Sequence, residues 1–207
     1  MAYLATTMHS ATVTGIDGVP QALDAFVQEH PQLGLVQQSN SGSAAALSSI
    51  PHVYYSNQEQ DRSTTLELLV GDFFSLAPVE PRSDFIFDRA SMVAIHPTLR
   101  QAYVDVLDER VLSSSTNGES GAVPTILLVA FERTSGTDWD KEGPPFSLPL
   151  ADIEKYYTKD RWTVTLLEDK GAIGEINANL GHPMISKYYQ IRRKNIDETK
   201  EFSPEEL

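Results

Sequence analysis

The stretch SDFIFDRASMVAIHP, residues 83–97, decides the fold. Phe85, Ile86 and Phe87 form a short apolar segment that runs directly into Asp88 and Arg89, and a second apolar segment, residues 92–95, follows before Pro97. A strand ending in a charged residue and followed by a helix is the pattern of a sheet strand whose carboxyl end opens onto a ligand. Charged side chains seldom enter a buried setting unless they are paired. Asp88 and Arg89 are therefore either a structural ion pair or the rim of a cleft, where arginine offers a planar donor fork to an anionic group.

The same pattern recurs on either side. HSATVTGID, residues 9–17, is β-branched at Thr12, Val13 and Thr14 and ends at Asp17. Gly18 and Pro20 then open a helix whose apolar residues, Val19, Leu23, Phe26 and Val27, fall at helical spacing. TTLELLVGD, residues 64–72, is a strand ending at Gly71 and Asp72. PTILLVAFE, residues 124–132, is nearly continuous apolar sequence, as a strand covered on both faces requires. After Pro97 an amphipathic helix carries Leu99, Ala102, Tyr103, Val106, Leu107 and Val111 on one stripe. GPPFSLP, residues 143–149, is a stiff loop, and LADIEKYY, residues 150–157, a short helix. WTVTLLED (162–169) and MISKYYQIRR (184–193) are two further strands. Residues 34–63 and 113–121 are rich in Ser, Asn and Gly and are expected to be flexible insertions, and residues 195–207 a charged, frayed tail. Strand–helix alternation predicts an α/β fold in a single domain over residues 1–194, with a mostly parallel sheet and helices on both faces.

Composition narrows the functional classes. With 29 acidic residues against 16 basic ones, the net charge is −13. That balance opposes nucleic acid or an anionic membrane as a partner, because both need a basic surface. The chain has no cysteine, which excludes thiolate catalysis and Cys-based zinc sites and fits a reducing compartment. The longest apolar run, residues 126–131, cannot span a bilayer, and the first basic residue is Arg62, unlike a signal or transit peptide. A cytoplasmic location is expected. The five histidines show no metal-ligand spacing, so no metal site is expected, and His96 before Pro97 reads as a helix-entry residue. Phosphate-loop, nucleophile-elbow and G-x-G-x-x-G motifs are absent.

The remaining candidates lie at strand carboxyl ends. Asp17 is either an acceptor for the hydroxyls of a ribose or a helix N-cap. Asp72 and Phe73 either bracket an adenine, one accepting from its amino group and the other stacking on the ring, or form a turn followed by two core phenylalanines.

Three stretches together resemble the thiopurine S-methyltransferase family and its small thiol and halide methyltransferase relatives. FIFDRASMVAIHPTLRQAYVDVL (85–107) is similar to the family's signature around its fourth strand, EGPPFSLPLADIEKYY (142–157) to its Gly-Pro-Pro-Phe loop and following helix, and HSATVTGIDGVPQAL (9–23) to its second strand and helix. The resemblance implies a Rossmann-like class I fold and S-adenosyl-L-methionine as cofactor. It implies cofactor contacts for Asp17 with the ribose, for Asp72 and Phe73 with the adenine, and for Asp88 and Arg89. Arg89 would be the catalytic residue, near methyl donor and acceptor, and Gly143, Pro144, Pro145 and Phe146 part of the lid over the substrate. The implied acceptor is a small thiol, thiopurine, halide or chalcogen species. No general base is evident, which suits a thiol already ionised near neutral pH.

One departure stands out. Residues 1–8, MAYLATTM, are too few to supply the strand and Gly-containing loop that precede the Asp17 strand in that family. The expectation is a truncated version of a longer protein that lacks the first strand and leaves two sheet edges open. The family's substrate-side arginine also has no counterpart in GAIGEINANLGHP, residues 171–183, so the acceptor stays open. Two other readings compete: a non-catalytic, degenerate methyltransferase-fold domain acting in binding or dimerisation, and another nucleotide-binding α/β protein.

Overall fold

The structure, a computed structural model, describes residues 12–38, 54–57, 65–76, 78, 82–113, 122–133, 143–173 and 184–194. The chain divides into two compact units, Met1–Val79 and Glu80–Leu207. Each unit contains its own four-stranded sheet.

In the first unit, β1 (Thr12–Asp17) pairs in parallel with β4 (Thr65–Val70), Asp17 opposite Val70. Between them in sequence come helix α1 (Pro20–Glu29) and strands β2 (Leu35–Gln38) and β3 (Tyr54–Asn57). Pro20 occupies the first turn of α1, where its fixed φ suits the helix and its missing N–H is not needed. Leu23 faces inward from α1 onto Leu66, Leu68 and Val70 of β4, with Phe26, Val27 and Val13 packed around them. Each fully buried leucine contributes about 1.5–3 kcal/mol relative to exposure. A 3-10 turn follows over Pro31–Leu33, and Gly34, at φ 61°, makes the left-handed step from that turn into β2.

The sheet order here is β1-β4-β3-β2, and β3 and β2 are both antiparallel to their neighbours. This corrects the sequence expectation for residues 34–63, whose described residues form two strands. LVQQ and YYSN show no apolar alternation, and their strand character comes from the backbone ladder that joins them to each other and to β4.

In the second unit, the order is β5-β6-β8-β7. β5 (Phe85–Arg89) and β6 (Thr125–Arg133) are parallel, with Arg89 opposite Val129. β8 (Met184–Arg193) is antiparallel to both β6 and β7 (Trp162–Ile173). Three short helices accompany them: α2 (Ser91–Ala94), α3 (Arg100–Val106) and α4 (Leu150–Tyr156). The fold is thus mixed α/β, and the expected mostly parallel sheet is not what the described residues form: of their six strand pairings only β1–β4 and β5–β6 are parallel. Inner-strand hydrophobicity marks burial, which antiparallel strands share, so composition alone did not reveal direction.

The helix expected after Pro97 is also less regular than its stripe suggests. It enters through a 3-10 turn at Pro97–Leu99, is α-helical over α3, and leaves through a π-turn at Leu107–Val111. The wider turn keeps Leu107 and Asp108 buried together. His96 caps the entry, its ring nitrogen accepting from the Thr98 N–H at 3.4 Å, in line with its reading as a helix-entry residue.

Among the described residues β1 pairs only with β4 and β5 only with β6, so each leaves one edge without a ladder partner. On β5 the side chains alternate against expectation. Phe85 and Phe87 are 46% and 42% exposed, while Asp88 is 1% exposed. The expected flexible connector lies outside the described residues over 114–121, as do the N-terminal residues 1–11 and the tail over 195–207.

Candidate functional site

The carboxyl ends of β1 and β4 lie side by side, because the Gly71 N–H donates to the Asp17 backbone carbonyl at 3.0 Å. Asp17 is half-buried. Its Oδ1 accepts from the Val19 N–H at 2.8 Å, a local turn that leads into α1. The N-cap of α1 is Val19, so Asp17 is not the helix cap that one reading made it; the turn engages one oxygen, and Oδ2 has no protein donor among the described residues. Asp72 is exposed and caps the 3-10 turn Phe73–Ser75: Oδ1 accepts from the Phe74 N–H at 3.0 Å and Oδ2 from the Ser75 hydroxyl at 2.8 Å. Phe73 is half-buried and meets Phe74 edge-on at 6.0 Å between ring centres.

In the second unit the β5–α2 corner separates the two charges that the sequence sets side by side. Asp88 turns into the core. Its Oδ1 accepts from the N–H groups of Ser91 (3.1 Å) and Met92 (3.3 Å) at the start of α2, and its Oδ2 accepts from the Tyr103 hydroxyl on α3 at 2.9 Å. Burial raises its carboxyl above the ordinary aspartate value, opposed by the hydrogen bonds from Tyr103, Met92 and Ser91. The Tyr103 and Tyr157 hydroxyls are pushed well above the usual tyrosine value, first by burial and then by the nearby Asp88 charge. Tyr157 is 0% exposed and its hydroxyl has no partner.

Arg89 does the opposite. It is exposed, and no protein partner engages its guanidinium among the described residues. The two residues do not form the ion pair that the sequence left open. Between Arg89 and α2, Ala90 adopts φ 76°, a left-handed conformation unusual for a side chain other than glycine. It lets the chain turn sharply enough for the α2 amides to reach Asp88.

The Gly143, Pro144, Pro145 and Phe146 segment is anchored within the second unit. Both peptide bonds leading into the prolines are cis. The Phe146 N–H donates to the Val93 carbonyl and the Leu148 N–H to the Phe131 carbonyl, each at 2.7 Å. Ser147 sits between two buried arginines: its carbonyl accepts from Arg100 Nη2 at 3.1 Å, and its hydroxyl accepts from the Arg133 N–H at 3.1 Å. The Phe146 ring packs edge-on against His96 at 5.4 Å. Gly143 is required here because a Cβ would overlap that ring.

The structure thus brings Asp17 together with Gly71 and Asp72 at one sheet end of the first unit. In the second unit it brings Asp88, Arg89, α2 and Phe146 to the end of β5. Tyr103, Arg100, Ser147 and Tyr157 escaped the sequence reading. Tyr103 was legible only as one residue of an apolar stripe, and nothing local marks its partner fifteen residues earlier. Among the described residues no group of three or more His, Asp or Glu side chains could hold a metal ion, and no helix is long and apolar enough to cross a membrane.

The model of one protein family, Thiopurine S-methyltransferase (TPMT), matches residues 1–194. The chain belongs to the thiopurine S-methyltransferase family. Individual relatives in this family agree at the level of distant homologues. The thiopurine S-methyltransferase of Vibrio atlanticus (strain LGP32) is 29% identical over 84% of this chain and 64% of its own length. That of Nitrosospira multiformis is 29% identical over 72% of this chain and 55% of its own. That of Aliivibrio fischeri (strain ATCC 700601 / ES114) is 31% identical over 85% of this chain and 65% of its own. The chain therefore spans between 55% and 65% of the length of these three thiopurine S-methyltransferases.

Proposed function

We propose that the protein is an S-adenosyl-L-methionine-dependent methyltransferase of the Rossmann-like class I fold that acts on a small nucleophile, a thiol or thiopurine before a halide or chalcogen species. Family membership over residues 1–194 supports the reaction class. The observation that carries the site is Arg89: an exposed guanidinium with no protein partner among the described residues, held at a strand's carboxyl end beside an aspartate whose oxygens are already engaged. A guanidinium left in that state is available to an anionic ligand.

In the first unit, Asp17 fits the ribose of the cofactor because its Oδ2 is open to a hydroxyl donor while Oδ1 fixes its orientation. Phe73 offers a half-buried ring for the adenine, and Asp72, anchored by the turn it caps, places its charge beside it. In the second unit Arg89 acts on the reactants, and Gly143, Pro144, Pro145 and Phe146 form part of the wall that excludes water. Asp88 contributes to cofactor binding through the placement of Arg89. Bound S-adenosylmethionine would supply a sulfonium methyl group for in-line transfer to a thiolate sulfur, the bond to the sulfonium breaking as S-adenosylhomocysteine leaves. Arg89 favours the ionised form of such an acceptor and holds it in position, so that alignment and exclusion of water supply the acceleration. We assign the protein to the cytoplasm, in keeping with its acidic, cysteine-free composition.

Calorimetric titration of S-adenosylhomocysteine into the 207-residue chain tests this directly. Binding that is lost in Asp17→Ala, with methyl transfer to an aryl thiol lost in Arg89→Ala, is the expected result. A folded chain that binds neither S-adenosylhomocysteine nor S-adenosylmethionine would overturn the proposal.

A further inference from the structure

The placement of Arg89 depends on an interaction fifteen residues away along the chain. Arg89 lies between two fixed points. On one side β5 is in register with β6 through Arg89 opposite Val129. On the other, Ala90 is held at φ 76°, a conformation that costs about 1–2 kcal/mol and persists only while its surroundings enforce it. What enforces it is the buried Asp88 carboxylate, which draws the first amides of α2 back toward β5.

Three groups hold that carboxylate, and they are not equivalent. Ser91 and Met92 belong to α2 and move with the corner. Tyr103 belongs to α3, and α3 is anchored separately: the Arg100 side chain, fully buried, donates to the Ser147 carbonyl. Tyr103 is thus the tie of the Asp88 carboxylate itself to another helix, whereas the Phe146 N–H on the Val93 carbonyl holds α2 by its backbone. We propose that Tyr103 is a positioning residue for Arg89: its hydroxyl fixes Asp88, and through Asp88 it sets the direction from which the guanidinium meets its ligand. The catalytic consequence rests on the methyltransferase reading above, whereas the positional claim does not.

Tyr157 provides the internal control. Its hydroxyl lies in the same buried surroundings and within the field of Asp88, yet it has no hydrogen-bond partner among the described residues. Tyr157→Phe removes one buried hydroxyl from the same surroundings without touching the tie. The ionisable groups facing Asp88 are Tyr103 from α3 and Tyr157 just beyond α4, with the Ser91 hydroxyl from α2.

The test compares Tyr103→Phe with Tyr157→Phe in the full chain. Backbone ¹⁵N relaxation is expected to show Arg89 and Ala90 gaining mobility in Tyr103→Phe and keeping wild-type values in Tyr157→Phe. Methyl transfer to an aryl thiol is expected to lose roughly tenfold in kcat in Tyr103→Phe, with KM for S-adenosylmethionine nearly unchanged. Its acid limb should move to higher pH, because the carboxylate has lost a donor that favours its charged form. Adding Asp88→Asn should remove that pH shift. Unchanged mobility at residues 89 and 90 in Tyr103→Phe, or an equal change in both tyrosine variants, would overturn the positioning role. If the wild-type chain shows no transfer, the methyltransferase reading fails, and the relaxation comparison still decides the role of Tyr103.

Discussion

Replacing Asp88 separates two opposing contributions of one buried carboxylate. Asp88→Ala strips the Ser91 and Met92 amides of their acceptor and takes from the Tyr103 hydroxyl its 2.9 Å bond to the carboxylate. Losing a cap of this kind costs about 1 kcal/mol. Losing a hydrogen bond to a buried charged group costs about 1.5–3 kcal/mol more. Relief of the desolvated charge offsets part of this, so a net loss of about 1–3 kcal/mol is expected at neutral pH. Asp88→Asn keeps an oxygen for the α2 amides and turns its amide toward Tyr103, so it removes the charge without removing the bonds.

The pH dependence gives the sign. Asp88 has its folded-state carboxyl raised above the ordinary value of 3.8, so the fold holds that proton more tightly than the unfolded chain does. The stability linked to that proton is fully present below the ordinary aspartate range and is lost as pH rises through the raised value. Asp88→Asn should therefore gain on wild type as pH climbs from the ordinary aspartate value toward neutrality, and then hold a constant margin. Urea titrations at a series of pH values, followed by tryptophan fluorescence, measure this. Both tryptophans, Trp139 and Trp162, lie in the second unit, where Asp88 sits. Equal losses in Asp88→Asn and Asp88→Ala, or an Asn-to-wild-type difference that does not change with pH, would refute the account of a desolvated but fully bonded carboxylate.

Other substitutions probe other parts of the argument. Asp17→Asn keeps an oxygen for the Val19 N–H but lacks the charge, so calorimetry should show S-adenosylhomocysteine binding weakened roughly tenfold or more while thermal stability changes by less than about 1 kcal/mol. Gly143→Ala drives a methyl into the Phe146 ring and should destabilise the second unit by about 1–3 kcal/mol in the same urea assay. Tyr157→Phe removes a buried hydroxyl that has no partner, so its denaturation midpoint should hold or rise, by up to about 1 kcal/mol of stability.

The strands of the second unit were legible because their sequences are rich in β-branched, aromatic and other apolar residues, whether buried as in β6 and β8 or largely exposed as in β5 and β7. MISKYYQIRR coincides with β8 residue for residue, and the WTVTLLED strand begins where β7 begins. β2 and β3 were not legible. Their polar sequences hold their places through backbone hydrogen bonds, which every residue except proline can donate and which leave no trace in side-chain composition. Strand direction escaped for a related reason: residues 184–193 would alternate equally well in either sense, and only the pairing with β6 makes them antiparallel.

At the candidate site the division is sharper. The residue types and their order by themselves determined the family, and they put Asp17, Asp72, Asp88 and Arg89 at strand ends, because a chain leaving a strand for a turn or helix favours short polar side chains there. They could not say which of Asp88 and Arg89 would go inward. Successive side chains of a strand point to opposite faces, so one of the pair had to be buried if either was. Burial fell to Asp88 because α2 could offer two amides and Tyr103, arriving fifteen residues later on another helix, a hydroxyl. No buried acceptor set awaited the guanidinium, so Arg89 stayed outside. That choice depends on groups far apart in sequence, and only the tertiary structure brings them together.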